Sequence, residues 1–276
     1  MKHLPLFQVD AFTGRVFAGN PAAVCVVDEW LDDVVMQSIA AENNLAETAF
    51  VIPSQLKGEG KSGLRWFTPT TEVDLCGHAT LATAAALMHM HPEWKDAFVF
   101  DTASGDLTVA QTEINGKAAL ELDFPARVPS GSDEQLDAVE QAVGLRPLSV
   151  VRAAKLMAVY DNQEQIESIV PNLDKVEALP GDGLIVTAPA SKPDPDGNRL
   201  DFVSRYFGPH CGIPEDSVTG SAHVTSVPYW AEKLGKQEMV ARQISRRGGT
   251  LWVRLDGDRV RMAGFAALYM EGVIRI

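Results

Sequence analysis

The sequence has no apolar run of membrane-spanning length, few cysteines and a shortage of basic residues. No uninterrupted apolar stretch reaches the roughly 18 residues that a transmembrane helix needs. The three cysteines, Cys25, Cys76 and Cys211, are an odd number at irregular spacing, so a disulfide framework is not expected. With 24 Lys and Arg against 37 Asp and Glu, the net charge is −13, which disfavours nucleic acid as a partner.

Targeting, metal-binding and nucleotide-binding motifs are missing as well. The first residues, MKHLPLFQVDAFTG, lack the apolar core and cleavage site of a signal peptide, so we expect a cytoplasmic protein with no membrane partner. His89 and His91 would lie on different faces of a helix, and His210 beside Cys211 has no companion pair of ligands. No G-x-G-x-x-G, Walker or G-x-S-x-G motif occurs. Metal ligation is therefore not expected, and a serine hydrolase is poorly supported.

Hydrophobic periodicity predicts strands and helices that do not alternate regularly. Helices are predicted at 32–43, 78–90 and 220–234, with shorter ones near 133–143 and 163–169. Strands are predicted at 4–12, 22–27, 47–52, 64–67, 97–100, 106–111, 118–124, near 149–160, at 183–188 and in a final meander. A polar turn is predicted at 57–63, and the Pro- and Asp-rich loop at 189–198 is expected to be mobile. This pattern favours an α+β fold.

An internal repeat indicates two similar halves. The string RWFTP at 65–69 resembles RYFGP at 205–209. Downstream of each string lie an acidic residue, a turn of small residues and a helix, in DLCGHATLA at 74–82 and EDSVTGSAH at 215–223. Chance similarity of short strings is the alternative, but the order of the elements also matches. The repeat predicts a duplicated fold with a pseudo-two-fold axis and a cleft between the halves.

The two helix starts are candidate anion-binding elements. The N-terminus of a helix presents free backbone N–H groups and a partial positive charge. Gly77 and Gly220 would let a ligand approach each backbone closely. Facing each other, two such ends would bind a carboxylate and stabilise the negative charge that forms when a proton leaves carbon. Either glycine turn alone is weak evidence, because most helices need an entry of this kind.

Glu47 is the candidate proton carrier for such a site. In the predicted strand ETAFVI its side chain shares a face with Ala49 and Val51, so we expect apolar surroundings. A desolvated carboxyl group favours its neutral form, which would let it serve as both acid and base. On alternation alone, a solvated glutamate at the start of a strand is the simpler interpretation.

Four further residues near the helix starts are candidates with structural alternatives. His78 and Asp216 could form a supporting pair and Ser221 could donate a hydrogen bond, although residues at these positions commonly serve only in the first turn or as helix caps. Cys76 precedes the first helix, whose N-terminus would lower the pKa of its thiol and favour a thiolate. A packed small residue is the alternative for Cys76.

Six motifs, in this order, resemble the phenazine-biosynthesis (PhzF-like) family over nearly the whole chain. They are FAGNPAAV (17–24), NLAETAFV (44–51), DLCGHATLA (74–82), EDSVTGSAH (215–223), PYWAEKLGK (228–236) and QISRRGG (243–249). The resemblance implies a diaminopimelate epimerase-like fold of two mixed-sheet or incomplete-barrel domains, each around a central helix. It also implies a homodimer without cofactor. We place the domains at 1–126 and 127–276, with the last strand free to return to the first half.

The resemblance also implies roles for individual residues. The glutamate that moves a proton between carbons in the family's phenazine enzyme matches Glu47, and the supporting histidine, aspartate and serine match His78, Asp216 and Ser221. The epimerase branch uses two cysteines as paired bases, whereas our alignment of the halves places Ser217 opposite Cys76. Two-thiol racemisation is therefore not expected.

We thus predict a cofactor-independent isomerase that moves a proton on a small carboxylate-bearing substrate. The predicted substrate contacts are Asn20, Cys76, Gly77, Thr219 and Gly220. A non-catalytic small-molecule or protein-binding module that retains the same cleft is the alternative from another class, and catalysis by Cys76 in place of Glu47 is a second alternative.

Overall fold

Residues 1–53, 60–94 and 97–276 are described by a computed structural model of the chain. Contacts divide the chain into unit 1, residues 1–123 with 263–276, and unit 2, residues 124–262. The chain thus leaves unit 1 three residues before the predicted boundary at 126, and its last strand returns to unit 1. Both units mix helices with parallel and antiparallel strand pairs, so the fold is α+β.

The elements that lie wholly or mainly in unit 1 are β1 (His3–Ala11), β2 (Asn20–Val26), α1 (Asp33–Asn43), β3 (Glu47–Ile52), β4 (Ser62–Phe67), β5 (Glu72–Val73), α2 (Gly77–Met90), β6 (Phe98–Thr102), β7 (Gly105–Ile114), β8 (Lys117–Pro125) and β18 (Ala266–Arg275). Those of unit 2 are β9 (Ser130–Gly131), α3 (Leu136–Val143), β10 (Ser149–Arg152), β11 (Leu156–Val159), α4 (Gln163–Ser168), α5 (Leu173–Glu177), β12 (Leu184–Pro189), β13 (Phe202–Gly208), β14 (Ile213–Asp216), α6 (Gly220–Leu234), β15 (Glu238–Gln243), β16 (Gly249–Asp256) and β17 (Arg259–Gly264).

The three long helices confirm their predictions, and the local chemistry explains their ends. Asp32 caps α1 by accepting the N–H of Val34 at 2.9 Å, and Asn44 ends it in the left-handed conformation. The helix α5 was missed because its five residues are too few to show a period. The strand predicted near 149–160 is a pair, β10 and β11. Of the turn predicted at 57–63, residues 57–59 lie outside the described residues, and β4 already begins at Ser62. Within the described ranges, no helix has both the length and the apolar character that crossing a bilayer requires.

In unit 1 the strands curve around α2. Pairing runs from β18 to β1, β2, β3, β4, β6, β7 and β8, with β2–β3 and β4–β6 parallel and the other pairs antiparallel. The helix contacts β1, β2, β3, β7 and β18. Between His78 and Leu87 every residue except Ala85 is buried. A helix that is surrounded by strands needs apolar or small residues on all its faces, and GHATLATAAAL supplies them.

Unit 2 repeats this order of pairing. The antiparallel pair β10–β11 is followed by parallel β11–β12, antiparallel β12–β13, parallel β13–β15 and antiparallel β15–β16. Alternate residues of the strands are buried on opposite faces of the sheet. Met157 and Ile185 pack with Ala222 of α6, while Leu156 and Val186 join the apolar cluster on the other face with residues of α3, α4 and α5. Because both faces of the sheet are covered, the sequences of these strands are continuous runs of apolar residues.

The repeated arginines have the same surroundings in both units. Arg65 forms a bidentate pair with Glu72, at 2.6 and 2.7 Å, and Arg205 forms one with Glu215, at 2.7 and 3.0 Å. Each guanidinium also lies over the phenylalanine two residues later, at 5.2 and 4.9 Å from the ring centre. The sequence repeat therefore corresponds to a repeated ion pair that fixes the strand leading to each central helix.

The loop at 189–198 is held by a buried carboxylate. Asp194, which is 4% exposed, accepts hydrogen bonds from the backbone N–H groups of Asp196 and Asn198, from the Asn198 side chain and from the Thr250 hydroxyl, all between 2.8 and 3.0 Å. This network argues against the mobile loop that the sequence predicted.

The repeated ion pair generates a stability prediction for unit 2. Arg205→Met should lower the free energy of unfolding by about 2–4 kcal/mol, because Glu215 would stay partly buried without its partner. The carbonyl groups of Ile166 and Ile169 would also lose the donor that lies 3.1 and 2.7 Å away. Urea denaturation followed by tryptophan fluorescence would measure the change. Arg146→Met, which breaks an exposed ion pair in the same unit, is the control and should change little. Equal effects of the two variants would contradict the prediction.

Candidate active site

The residue before α2 is Cys76, the N-cap residue, whose backbone is extended with φ −144° and ψ 105°. Within the described part of the chain, no side chain caps this helix start. The first-turn N–H groups thus keep the partial positive charge that attracts an anion. Gly77 follows, and His78 then lies in the first turn with 4% of its surface exposed.

Glu47 and His78 form a buried pair at this helix start. Glu47 is the first residue of β3 and is 8% exposed, so the solvated glutamate considered from the sequence is not what the structure shows. Its Oε2 lies 3.1 Å from Nε2 of His78. The two atoms are too poorly aligned for a hydrogen bond, and among the described residues neither has another hydrogen-bond partner. Such buried polar atoms are costly in a purely structural site, which points to a role with a ligand.

The other ring nitrogen of His78 faces two different groups. Nδ1 lies 3.2 Å from Nδ2 of Asn20 and 3.5 Å from Sγ of Cys76. The Asn20 amide can donate a hydrogen bond to Nδ1 or accept one from it, and the Cys76 thiol can do either more weakly. Both neighbours can therefore form a hydrogen bond with a neutral ring and with a charged ring. Asn20, predicted as a substrate contact, is thus placed where it orients the histidine.

The turn before Asn20 has two residues with positive φ angles, which fix its conformation. Gly19 has φ +64°, and a Cβ atom there would lie 2.1 Å from the carbonyl oxygen of Ala11. Phe17 also has a positive φ, 71°, and its N–H donates to the buried Asp10 carboxylate at 2.8 Å. The FAGNP motif therefore fixes where β2 begins and so where the Asn20 amide lies.

Burial decides the electrostatics of this cluster. It raises the pKa of the Cys76 thiol to about 11, with the charge of Glu47 adding to the effect. The expectation of a lowered thiol pKa was therefore wrong, because desolvation outweighs the helix N-terminus. Burial would lower the pKa of His78, but its interactions with Cys76 and Glu47 outweigh this effect, so this pKa lies well above its ordinary value.

Glu47, Cys76 and His78 also offer three possible metal-ligand atoms within 4.8 Å of one another. The thiol, however, lies at Nδ1 of the imidazole and the carboxylate at Nε2. A histidine directs only one nitrogen at a given ion. In this arrangement the thiol and the carboxylate therefore do not approach the same histidine nitrogen.

The second helix start, at α6, belongs to unit 2. Its cap residue Thr219 is extended, and no side chain in the described residues caps the helix. Asp216 is 8% exposed and accepts a hydrogen bond from Oγ1 of Thr219 at 2.6 Å. Gly220 begins the helix, and Ser221 is half-buried in its first turn. Asp216, Thr219, Gly220 and Ser221 therefore lie together at this helix start.

Gln243, at the end of β15, organises this turn and was missed in the sequence. Its fully buried amide accepts the N–H of Thr219 at 2.8 Å and donates to the Asp216 carbonyl at 2.7 Å. Ser245 supports the same turn by donating to the Ser217 carbonyl at 2.7 Å. Both residues belong to the QISRRGG motif, which was the available signal, but a motif alone does not reveal its partners.

The alignment of the two halves needs one correction. Cys76 lies four residues after Glu72, and Thr219 lies four residues after Glu215, and each is the cap residue before a glycine. The counterpart of Cys76 is therefore Thr219. The assignment to Ser217 was wrong, because unit 2 has an additional 3-10 turn between its arginine and its glutamate. A second thiol is missing at this position in either alignment.

A buried histidine below the second helix start gives a pH prediction. Burial lowers the pKa of His223 to about 4, although its contact with the Thr219 carbonyl, 2.8 Å from Nδ1, opposes this. The unfolded chain takes up the proton near pH 6.5, so the folded state has its full stability above that pH and loses it as the pH falls toward 4. Urea denaturation from pH 7.5 to 4.5 should show a loss on the order of 3 kcal/mol in the wild type that is smaller in His223→Gln.

The control for this experiment is His3→Gln, which alters an exposed histidine and should leave the pH dependence unchanged. If His223→Gln lost stability with falling pH as steeply as the wild type, the buried neutral histidine would not be the cause.

Comparisons with known proteins identify the family of the chain. The family model described as phenazine biosynthesis-like protein (PhzC-PhzF) matches residues 9–272. An uncharacterized isomerase of Pseudomonas aeruginosa is 46% identical over 277 residues, which cover 99% of each chain. A PhzF-family phenazine biosynthesis protein of Enterococcus faecalis has a crystal structure that matches with a TM-score of 0.90 and 40% identity over 100% of both chains.

A more distant structure shares the fold alone. It is a hydroxyproline epimerase of Agrobacterium vitis, with a TM-score of 0.58 and 12% identity, covering 99% of this chain and 92% of its own. The family match and the two similar proteins each extend over nearly the full chain. The chain therefore belongs to the phenazine biosynthesis-like, or PhzF, protein family.

Proposed function

We propose that this protein is a cofactor-independent isomerase that moves a proton between carbon atoms of a small carboxylate-bearing substrate. The observation that carries the proposal is the contact of Glu47 with His78, 3.1 Å apart and buried at the start of α2. A carboxylate held beside an imidazole, without a directed hydrogen bond to it, is available to a substrate C–H group.

In this proposal Glu47 takes a proton from a carbon next to a carbonyl or conjugated group and returns it to a carbon of the same substrate. The positively charged His78 offsets the negative charge that develops as the C–H bond breaks. The low exposure of both side chains keeps bulk water away, so the proton stays on the enzyme between the two steps.

The start of α6 would supply the second half of the site. Its first-turn N–H groups and the Ser221 hydroxyl would bind the substrate carboxylate, and Asp216 would orient a donor group of the substrate. Gln243 and Thr219 keep Asp216 in place through bonds of 2.6 to 2.8 Å. We propose that the two helix starts bind one substrate in a cleft between the units.

The state of the thiol favours Glu47 over Cys76 as the base. A general base works best when its pKa lies near the operating pH. The pKa of Cys76 is about 11, so nearly all of this thiol is protonated at neutral pH. Cys76 is therefore a poor base.

The test is a screen of small carboxylic acids and amino acids in deuterated water. We expect one compound to gain a non-exchangeable deuteron with the wild type, and the rate to fall at least about 100-fold with Glu47→Gln, which cannot take up a proton. Deuterium incorporation would be measured by mass spectrometry and its position by NMR. Glu42→Gln, the same change at an exposed glutamate of unit 1, is the matched control and should keep full activity.

Two outcomes would contradict the proposal. Exchange that survives in Glu47→Gln but is lost in Cys76→Ser would make the cysteine the operative group. Compounds that bind to the protein but never exchange hydrogen across a broad screen would indicate the non-catalytic binding module instead.

A further inference from the structure

Cys76 has a position that the proposed chemistry does not use. Its sulfur is buried, with the residue 5% exposed, and it does not cap α2. Its counterpart in unit 2, Thr219, makes side-chain hydrogen bonds with Asp216 and Gln243, at 2.6 and 3.1 Å. The sulfur lies 3.5 Å from Nδ1 of His78 and also interacts with the backbone N–H of Ala79.

The sulfur and the Glu47 carboxylate lie at opposite nitrogens of one imidazole. Cys76 faces Nδ1, and Glu47 faces Nε2 at 3.1 Å. The ring is planar and rigid, so the group at one nitrogen decides the direction and the protonation of the other. The sulfur and a carboxylate oxygen also lie within 4.8 Å of each other, so a change at the sulfur reaches the carboxylate through the ring as well as directly.

We propose that Cys76 is a positioning residue that acts on Glu47 through His78, because its sulfur at Nδ1 fixes the orientation and the charge that Nε2 presents to the carboxylate. The proposal rests on the proposed function only in taking Glu47 as the acid and base; the arrangement of the three side chains stands without it. Cys76 neither touches the substrate nor exchanges a proton with it in this assignment.

Few groups contact the His78 ring and could change its pKa. The segment before α2 contributes Cys76, β3 contributes Glu47 and β2 contributes the uncharged amide of Asn20. Cys76 and Glu47 are the titratable groups that contact the ring among the described residues. The interaction of each residue with the ring raises the pKa of His78, so removal of either should lower it.

A sulfur atom suits this position better than the oxygen of serine. The C–S bond is longer than the C–O bond, so a serine hydroxyl at the same Cα would lie farther from Nδ1 than 3.5 Å, beyond the range of an N–H···O bond. A thiol also accepts an N–H from the charged ring while it remains uncharged itself. Serine should therefore replace cysteine only in part.

The experiment is ¹⁵N NMR of the histidine rings in the ligand-free full chain, recorded as a function of pH. His78 in Cys76→Ala should titrate about one unit or more lower than in the wild type, with a smaller shift in Cys76→Ser. Cys25→Ala, the same change at a fully buried cysteine in the core of unit 1, is the control and should leave His78 unchanged. The amide spectrum of each variant shows whether it is folded.

An unchanged His78 titration in folded Cys76→Ala would overturn the assignment and leave Cys76 as a packing residue. If the alanine variant did not fold, Cys76→Ser would decide by the same criterion. Because no substrate is needed, a negative result here is distinct from failure of the deuterium screen, which concerns Glu47. Where that screen succeeds, the pH profile of exchange should shift in Cys76→Ala in the same direction as the His78 titration.

Discussion

The close approach of a buried carboxylate to a buried imidazole is the constraint on which the arrangement of unit 1 depends. Glu47 and His78 come from different elements, and each is useful only if β3 and α2 hold their relative position. The parallel pairing of β2 with β3, in the register Ala22 opposite Glu47, brings the start of both strands to the same end of the sheet. The packing of α2 against β1, β2 and β3 then places its first turn there as well. Small residues along α2 allow this close packing, so the apolar core determines the spacing of the charged pair.

The two units keep the same scaffold but differ in their chemistry. The arginine–glutamate pair, the cap residue and the glycine at the helix start are present in both. At the cap, unit 1 has Cys76 and unit 2 has Thr219; two positions later, unit 1 has His78 and unit 2 has Ser221. At these two positions the first half thus carries a thiol and an imidazole, and the second carries two hydroxyl groups. A duplicated fold can specialise in this way, because the backbone groups that attract an anion do not depend on these side chains.

Much of the fold was accessible from the sequence, because its signals are local. The limits of α1, α2 and α6 follow from capping residues and periodicity, and the repeat of RWF and RYF located the matching elements of the two halves. The burial of Glu47 did not follow from alternation, because five consecutive residues of β3, from Glu47 to Val51, are buried. The part that sequence reasoning could not supply depends on distant partners. Nothing local shows that Asn20 meets His78 across 58 residues, or that Gln243 meets Thr219 across 24. The state of Cys76 was misjudged for a related reason, because a helix terminus can be read from sequence but desolvation depends on the whole fold.

The return of β18 to pair with β1 affects the order in which the protein can be completed during synthesis. All of unit 2 lies between the strands of unit 1 and β18. On the ribosome, the edge of β1 that faces β18 therefore stays unpaired until the second unit has been translated. An open strand edge with apolar neighbours is a site for misassociation between nascent chains. The half that carries Glu47 and His78 is translated first, but its sheet gains its last strand only after the second half has been translated.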